Sequence, residues 1–379
     1  MIDLRKNVYV IIDGQAGDCG KGKAFAEFAL EQNPELAITN HMPNADHTCV
    51  INGRKRIFRH IPVSSVNKTT DLFLGSGVFI NMDILEQEYN ENLDLLDGRE
   101  IIAHPNIALI EKRHIVFERN ALKESGSTFN GGGACSSEKI MRSPDLNFFK
   151  GYKGIRVVSH EEYFRRLKEY LINAKKILLE SSQGCDLDIN HSGHYPNTTS
   201  KQISVAQMLA DSGISPRCLK DVTMIIRPFP IRIAAGNYGK SAELSWDQIN
   251  ISSSIGTYPI AGENLDGLES YYDPDHDYTE IIPHSGEERR VFDIDIEQLK
   301  RSVQINTPDS IYLNFFQHLD NDFEDVKGKV SVRNFEKPLR EYLYWLEDKL
   351  EVPITKLGTG AENGSYIKIL SKTKGDDQK

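Results

Sequence analysis

The sequence predicts an α/β fold in which a central, mostly parallel sheet is flanked by helices. Strand-like apolar runs alternate with amphipathic helical runs along the chain, and the first apolar run leads through a cluster of glycines into an amphipathic run. The predicted strands cover residues 8–12, 177–179, 222–226 and 311–313. The predicted helices cover residues 162–172, 294–303 and 338–350, and a further helix begins near residue 21.

The chain organisation points to a single domain. With 379 residues the chain can bury a substantial core, as one large domain or as two closely packed ones, and no repeat or low-complexity linker divides it. We therefore predict one domain over residues 1–370, followed by a polar tail at 371–379 that is disordered. Residues 237–284 are rich in Ser, Gly, Tyr and Asp and are predicted to form an irregular, functional loop.

Charge and composition narrow the classes of partner. The formal net charge of -10 opposes nonspecific binding to nucleic acid, so we expect phosphates to be recognised at a local site on small molecules. No run of eighteen apolar residues and no apolar N-terminal segment is present, which predicts a cytoplasmic protein without a membrane partner. The five cysteines form no CxxC pair and are expected to be reduced thiols.

The stretch DGQAGDCGKGK at residues 13–23 has the glycines and lysines of a phosphate-binding loop. It departs from the usual P-loop, because five residues separate Gly14 from Gly20 and because Gly22 follows Lys21. A strand, a glycine turn and a helix nevertheless point free backbone N–H groups at an anion.

Two kinds of charged side chain stand in this loop. Lys21 and Lys23 add positive charge, whereas Asp18 repels a phosphate unless it binds Mg2+ or removes a proton. The loop alone therefore leaves two interpretations open, an ordinary glycine-rich turn or a phosphate site with its own chemistry.

Three further stretches favour a phosphate site over an ordinary glycine-rich turn. They are NADHT at 44–48, STFNGGGACSSEKIMR at 127–142 and ESSQGCDLDINHSGHYPNTTS at 180–200. In order and spacing, the loop and these stretches resemble motifs of the adenylosuccinate synthetase family: GQWGDEGKGK, NAGHT, a monophosphate-binding segment and EGAQGxxLDxxxGxYPxVTS. The resemblance runs from residue 8 to about residue 320, with a weaker echo at VPITKLGTGAEN. It implies a fold related to the P-loop NTPases.

The resemblance also implies a two-step reaction. Enzymes of this family phosphorylate the 6-oxo group of a purine nucleotide with Mg2+ and a nucleoside triphosphate, and the amine of L-aspartate then displaces the phosphate. Asp18 matches the residue that takes the proton from purine N1 and ligates Mg2+. His47 matches the residue that hydrogen-bonds the oxygen being phosphorylated. The donor phosphates are expected at Gly20, Lys21, Gly22 and Lys23.

Five residues match positions that bind the nucleoside monophosphate. They are Asn44, Thr128, Arg142, Gln183 and Thr199. By resemblance, Gln183 reads the base, Thr199 contacts the phosphate, and Arg142 reaches across the interface of a homodimer. An arginine fork suits phosphate oxygens, and a carboxamide can pair with a purine edge.

The segment NFFQHLD departs from the family in its donor-base residue. The family's donor is GTP, whose base is read by an Asp in a TKLDVLD-like segment; here Gln317 takes the Asp position and Phe315 takes that of the Lys. A carboxylate accepts two hydrogen bonds from guanine, whereas an amide offers one donor and one acceptor to adenine. ATP or dATP is therefore the expected donor. Drift of this segment without a change of specificity is the alternative.

The acceptor nucleotide is expected to be dGMP. The donor-base change and the short chain resemble the viral branch of the family, whose enzymes join dGMP to aspartate, and Asp186 could accept a hydrogen bond from a guanine 2-amino group. Members of that branch can carry Ser where this chain has Asp18, so IMP stays the alternative. A non-catalytic nucleotide-binding regulator is the alternative of another class, and the retention of Asp18 and His47 counts against it.

Two departures concern the metal and the amino acid. Asp46 replaces the glycine of NAGHT, whose backbone carbonyl helps to bind Mg2+ in the family. The loop HSGEERR at 284–290 stands where relatives have a TTGRRRR-like loop that binds aspartate. Arg289 or Arg290 is expected to meet a carboxylate or a donor phosphate there.

Overall fold

The structure is a computed structural model that describes residues 6–121, 128–232, 241–256, 258, 273–281, 286 and 288–370. The predicted tail at 371–379 lies outside these residues. The predicted single domain stays a prediction.

The chain alternates between strands and helices from end to end. In chain order the described strands are β1 (Val8–Asp13), β2 (Leu36–Thr39), β3 (His47–Ile51), β4 (Arg54–Phe58), β5 (Asp71–Leu74), β6 (Phe79–Asn81), β7 (Ile101–Ala103), β8 (Ala108–Ile110), β9 (Ile155–Val157), β10 (Ile177–Glu180), β11 (Leu219–Ile226), β12 (Ile231–Arg232), β13 (Glu243–Leu244), β14 (Arg290–Phe292), β15 (Ser310–Leu313), β16 (Gly328–Val330), β17 (Ile354–Gly358) and β18 (Tyr366–Ile369). The described helices are α1 (Lys21–Gln32), α2 (Met82–Glu91), α3 (Leu93–Leu96), α4 (Lys112–Ala121), α5 (Gly132–Ile140), α6 (His160–Ile172), α7 (Val205–Ser212), α8 (Trp246–Ser254), α9 (Ile296–Asn306) and α10 (Lys337–Leu350).

Within the described part of the chain, eleven strands form one sheet in the order β16-β18-β17-β15-β11-β1-β10-β2-β5-β7-β9. The pairings from β15 to β9 are parallel, and the pair β17–β18 is antiparallel. Strand β1 lies between β10 and β11 in the middle of the sheet. Because parallel strands end at the same edge, the loops after β1, β2, β10 and β15 meet there, and ligands bind at such edges in open α/β sheets.

Strand β1 is buried on both faces, as a continuous apolar run predicts for a central parallel strand. Val10 and Ile12 pack into one apolar cluster, which includes side chains of α7, α9 and α10. Ile11 packs into the opposite cluster, which includes Phe25 and Ala26 of α1. The start of α1 is therefore held firmly against the end of β1.

The predicted strands and helices are confirmed, with small shifts at their ends. Helix α9 begins later than predicted because the Asp295 side chain accepts a hydrogen bond from the Gln298 N–H and caps the helix there.

The prediction of an irregular segment at 237–284 is wrong for its described part at α8. A capping box between Ser245 and Gln248 starts this helix, and Trp246, Ile249 and Ile251 are buried. Its serines and asparagine concealed the helical pattern in the sequence. None of the described helices is long and apolar enough to span a bilayer.

Candidate active site

The loop after β1 leaves the N-terminus of α1 open. Gly20 is the N-cap residue in the left-handed conformation, with φ 83°, and no side chain caps the helix. A Cβ atom on Gly20 would lie 2.0 Å from Asn314 Nδ2, so only glycine fits without displacing that side chain. The first turn of α1 thus presents backbone N–H groups that have no intrahelical partner.

Side chains from other elements hold the loop by its carbonyl groups. Gln298 Nε2 and Ser302 Oγ of α9 each donate to the Gly14 carbonyl at 2.8 Å. Asn314 Nδ2, directly after β15, donates to the Cys19 carbonyl at 3.0 Å. Because these partners bind carbonyl groups, they hold the loop without using the N–H groups at the start of α1.

Lys21 forms a buried ion pair with Asp13, and 2.9 Å separates Nζ from Oδ2. Burial pulls the pKa of Lys21 down, but the Asp13 carboxylate reverses this and the pKa lies above its ordinary value. Asp13 also accepts hydrogen bonds from the Gln15 and Cys19 N–H groups. The sequence interpretation missed Asp13; its only signal is an acidic residue at the end of an apolar strand.

Lys23 points away from the loop, although it was predicted to bind donor phosphates. Its Nζ donates to the Ser365 carbonyl at 2.6 Å and lies 3.6 Å from Glu27 Oε1. Burial lowers the pKa of Lys23 to about 8. Its assignment to the donor phosphates stays a prediction that requires this side chain to change partners.

Asp18 lies at the rim of the loop beside two arginines. Arg289 Nη1 is 2.6 Å from Asp18 Oδ2, and the Asp18 side chain is 43% exposed. Arg227 is fully buried, stacks on the Phe315 ring at 4.1 Å and donates to the Asp18 carbonyl at 3.2 Å. Arg227 was also missed by the sequence interpretation, because its only signal is an arginine after a buried strand.

His47 packs directly against the first turn of α1. A Cβ atom on Gly22 would lie 2.3 Å from the Thr48 carbonyl oxygen and 2.8 Å from the His47 carbonyl carbon. Burial, together with the charge of Lys21, holds the pKa of His47 well below its ordinary value. The imidazole is therefore neutral at pH 7 and can donate one hydrogen bond while its other nitrogen accepts.

The segment after β10 brings Gln183 and Asn44 to the same loop. A Cβ atom on Gly184 would lie 2.1 Å from the Gln15 carbonyl oxygen and 2.2 Å from the Gly17 nitrogen, so this segment touches the loop backbone. Gln183 Nε2 donates to the Asn44 carbonyl at 3.2 Å. Among the described residues, Asn44 Oδ1 is buried without a hydrogen-bond partner.

The other predicted monophosphate residues lie around the start and end of α5. Asn130 Nδ2 donates to Thr128 Oγ1 at 3.2 Å and to the Pro43 carbonyl at 3.5 Å, which brings Thr128 towards Asn44. Thr199 is buried and donates its N–H to the Leu187 carbonyl.

Arg142 lies exposed beyond the C-terminal end of α5, with φ 58°. Its role at the monophosphate site of a neighbouring subunit stays a prediction.

Helix α5 also begins at a glycine in the left-handed conformation, Gly131, with φ 81°. Here the Glu118 carboxylate of α4 accepts hydrogen bonds from the N–H groups of Gly131, Gly133 and Ala134 at 2.8, 2.7 and 3.0 Å. A carboxylate of the protein therefore occupies this helix N-terminus.

Asp186 is buried and already paired. Its Oδ2 is 3.0 Å from His194 Nε2, and its Oδ1 is 3.7 Å from Arg301 Nη2. Recognition of a 2-amino group by Asp186 stays a prediction, and it requires the amino group to share the carboxylate with these partners.

Gln317 lies in a buried turn at the end of β15, beside the loop. Its Oε1 is buried and has no hydrogen-bond partner within the described ranges. Phe315, at the position where relatives carry Lys, stacks on Arg227. A buried amide oxygen that lacks a partner among the described residues is suited to receiving an N–H group of a ligand.

The remaining predicted residues are Asp46, Arg289 and Arg290, and each of them forms an ion pair. Asp46 pairs with Arg59, and Arg290 pairs with Glu243 in the small sheet β12-β14-β13. Of the two arginines predicted for the loop at 284–290, it is therefore Arg289 that lies at the phosphate loop. Residues 284, 285 and 287 lie outside the described residues.

The sequence profile of the adenylosuccinate synthetase family matches residues 10–149 and 152–331, which include the loop, His47, Gln183 and Gln317. The chain belongs to this family. As an adenylosuccinate synthetase family member it is a carbon–nitrogen ligase that uses nucleotides.

Two curated relatives carry different names. The N6-succino-2-amino-2'-deoxyadenylate synthase of Salmonella phage PMBT28 is 29% identical over 346 residues, which cover 85% of this chain and 88% of the relative. The adenylosuccinate synthetase of Methanocaldococcus jannaschii is 26% identical over 368 residues, which cover 95% of this chain and 96% of the relative. The two names denote different succinylated products, a 2-amino-2'-deoxyadenylate in the first and adenylosuccinate in the second.

A solved structure supports the fold. The succinoaminodeoxyadenylate synthetase of cyanophage S-2L, bound to dGMP and dATP as an energy donor, matches with a TM-score of 0.74 and 23% identity over 96% of this chain and 95% of that chain. The predicted α/β architecture with a mostly parallel sheet is thereby confirmed.

Proposed function

We propose that this ligase joins L-aspartate to the 6-position of dGMP, with ATP or dATP as the phosphoryl donor. The observation that carries the proposal is the convergence of Asp18, His47 and Gln183 on the open N-terminus of α1. The names of the phage relatives, and the dGMP and dATP in the cyanophage structure, support this choice of nucleotides. They also favour the cytoplasm of an infected cell as the place of the reaction.

The first step is phosphorylation of the purine. Asp18 removes the proton from N1 of the base, which makes O6 nucleophilic, and O6 then attacks the γ-phosphorus while the nucleoside diphosphate leaves. Lys21 and the N–H groups of α1 stabilise the charge on the transferring phosphoryl group. The neutral His47 donates a hydrogen bond to the oxygen that is being phosphorylated.

The second step is amination. The amine of L-aspartate attacks C6, the C6–O6 bond breaks, and O6 leaves as part of the phosphate. Arg289 Nη1 lies 2.6 Å from Asp18 Oδ2, and Arg289 is the arginine proposed to receive a substrate carboxylate or a donor phosphate at this rim.

The donor set at the rim of the loop fits Mg2+. The described residues contain no ready cluster of three or more acidic, histidine or cysteine ligands, but Mg2+ is commonly bound by one or two carboxylates together with substrate phosphates. Asp18 offers an exposed carboxylate, and Asp46, whose carboxylate pairs with Arg59, offers its backbone carbonyl. Mg2+ supplies charge neutralisation on the donor phosphates.

Polar atoms that lack partners within the described residues support these positions for the two nucleotides. The buried Asn44 Oδ1 and the adjacent Gln183 are suited to the monophosphate substrate, together with Thr128, Thr199 and Arg142. The buried Gln317 Oε1 is suited to the 6-amino group of adenine in the donor. We further propose that Asp186 accepts a hydrogen bond from the 2-amino group of dGMP.

A two-fold dimer completes the site in this proposal. Ile140 and Met141, directly before Arg142, are 78% and 68% exposed, and Phe117 of the adjacent helix α4 is 60% exposed. Exposed apolar side chains in such a group are typical of a protein interface. Burying them against a second copy would carry Arg142 to the neighbouring monophosphate site.

Adenylosuccinate synthesis from IMP is the second candidate function. Archaeal relatives that carry this name match 93–95% of the chain, and Asp18 is the ordinary residue of the family. A nucleotide-binding regulator is the candidate of another class.

One set of reactions separates these functions. The enzyme is incubated with Mg2+, L-aspartate, one donor (ATP, dATP or GTP) and one acceptor (dGMP or IMP), and phosphate and the succinylated product are measured. We expect the highest turnover with dGMP and an adenine donor. Preferential turnover of IMP would overturn the dGMP assignment, and binding without turnover of either acceptor would favour the regulator.

The variant Gln317→Asp tests whether Gln317 recognises the base of the phosphoryl donor. A mismatched buried polar edge costs about 1–3 kcal/mol, so wild type should prefer adenine donors over GTP by roughly five- to hundredfold. The preference for adenine donors over GTP should become smaller or reverse in Gln317→Asp. An unchanged preference would remove Gln317 from donor recognition.

A further inference from the structure

Two buried histidines lie side by side next to the phosphate loop. The ring centroids of His41 and His47 are 4.2 Å apart, and the planes meet edge to face at 70°. His41 follows strand β2 and is fully buried, whereas His47 opens strand β3. Phe25 of α1 contacts both rings, so the pair is enclosed between the end of the sheet and the helix that carries Lys21.

Three of the four ring nitrogens in this pair are buried without a hydrogen-bond partner in the described part of the chain. They are His41 Nδ1, His41 Nε2 and His47 Nδ1. Buried polar atoms are hydrogen-bonded in nearly all native proteins, so three adjacent exceptions require an explanation. A neutral imidazole carries one donor and one acceptor, so one ring nitrogen of His41 and Nδ1 of His47 can form a hydrogen bond with each other.

The His60 ring and the Lys201 ammonium, two other nitrogen-bearing groups of this region, are already engaged. The His60 ring is held by Glu88 Oε2 at Nδ1 and by the Asn81 N–H at Nε2. Lys201 Nζ donates to the carbonyls of Asn40 and Gly77 and pairs with Asp211. The available nitrogens that lie against His47 are therefore those of His41.

We infer that His41 is a positioning residue for His47, and that its ring N–H donates to His47 Nδ1 when substrate is bound. Rotation of an imidazole about its Cβ–Cγ bond, a soft torsion, turns the edge-to-face contact into this hydrogen bond. The inference rests on the proposed role of His47 in phosphoryl transfer.

This bond would fix the tautomer of His47. If Nδ1 accepts, the N–H must lie on Nε2, and the neutral ring can then donate from Nε2 to the oxygen that is being phosphorylated. Without His41, the N–H could lie on either nitrogen and the ring would lose its fixed orientation. His41 acts only through His47 and does not touch the substrate.

A double-mutant cycle tests this coupling. His41→Phe keeps a ring of similar size without a donor and should lower kcat by about 10- to 100-fold, the usual range for residues that orient a functional side chain, with little change in KM. His41→Asn and His41→Gln place a donor where one of the two imidazole nitrogens lay, and at least one should recover part of kcat. In a His47→Ala background, His41→Phe should cause no further loss. A full additional loss there would overturn the inference.

A second measurement does not depend on turnover. Protein labelled with 15N in its histidine rings is examined by NMR with ATP, Mg2+ and dGMP or IMP bound in the absence of aspartate, and His47 is assigned from the signal that disappears in His47→Gln. We expect the Nδ1 signal of His47 to be that of an unprotonated acceptor in wild type and to change in His41→Phe. An identical His47 signal in wild type and His41→Phe would overturn the inference. If the turnover assay showed that IMP and not dGMP is the acceptor, the NMR comparison of wild type and His41→Phe would still test the inference.

Discussion

Helices α1 and α5 begin in the same way and end up with different functions. Each starts after a glycine in the left-handed conformation, with φ 83° at Gly20 and 81° at Gly131, and neither N-cap residue provides a side-chain cap. In α5 the Glu118 carboxylate binds three of the first N–H groups. Within the part of the chain that the structure describes, no carboxylate accepts hydrogen bonds from the first N–H groups of α1.

Asp13 shows how a carboxylate can serve the loop before α1 without blocking the helix. It binds the N–H groups of Gln15 and Cys19 and the Lys21 ammonium, which fixes the loop and keeps the lysine charged. A glycine-rich sequence therefore predicts where a helix starts. Whether an anion can bind at that start depends on carboxylates from other elements of the chain.

The comparison also constrains the monophosphate site. Since Glu118 occupies the N-terminus of α5, we expect the substrate phosphate to be bound by side chains rather than by the N–H groups of this helix. Asn44, Thr199 and Arg142 are the side chains proposed for this role.

The largest expected effect lies at the start of α1. Asp18→Asn and His47→Ala should each lower turnover by about a hundredfold or more, because each removes acid–base or electrostatic stabilisation of the transition state. Steady-state kinetics with the preferred acceptor measure this effect. Near-normal turnover in either variant would remove that residue from the mechanism.

The next largest effect is a difference in turnover between two matched glycine substitutions, one at the start of each helix. In Gly22→Ala the new Cβ meets the Thr48 backbone at 2.3 Å, so His47 must shift, and we expect roughly a tenfold or greater loss of turnover. In Gly133→Ala the nearest atom is Ser200 Oγ at 2.4 Å, a side chain that can rotate away. Kinetics and thermal melts of both variants measure the contrast, and equal losses would contradict it.

Much of the α1 region could be predicted from the sequence, because its signals are local. An apolar strand, a glycine loop and an amphipathic helix follow each other within residues 8–32, and the family motifs supplied His47 and Gln183. The missed contact of Arg227 joins distant parts of the chain, since Arg227 and Asp18 are 209 positions apart. The missed Asp13 lies within the loop itself, where a single acidic residue gives no distinctive signal. No local pattern announces that Glu118 blocks α5 or that His41 lies against His47.

The third test concerns Arg142, which lies beyond the C-terminal end of α5. If Arg142 serves the monophosphate site of a neighbouring subunit, mixing Arg142→Ala with Asp18→Asn protein should restore activity. Random exchange makes half of the dimers hybrid, each with one intact site, so about a quarter of wild-type activity should return. Absence of recovery after demonstrated subunit exchange would show that each site is built from one chain.

The smallest effect is expected at Glu118. Glu118→Gln weakens the hydrogen bonds to the start of α5 and should cost about 1–2 kcal/mol, which lowers the melting temperature by a few degrees. Turnover should change by less than about threefold, because this helix start does not bind the phosphate. A large rise in KM for the monophosphate, without a change in melting temperature, would show that Glu118 belongs to the substrate site.

The central claim is that O6 of the purine becomes an oxygen of the released phosphate. The most direct test uses dGMP labelled with 18O at O6, together with ATP, Mg2+ and L-aspartate, and mass spectrometry of the phosphate formed. We expect one 18O atom in each phosphate released with product, and no labelled phosphate from Asp18→Asn beyond its residual turnover. Formation of the succinylated product with unlabelled phosphate would contradict a 6-phosphoryl intermediate.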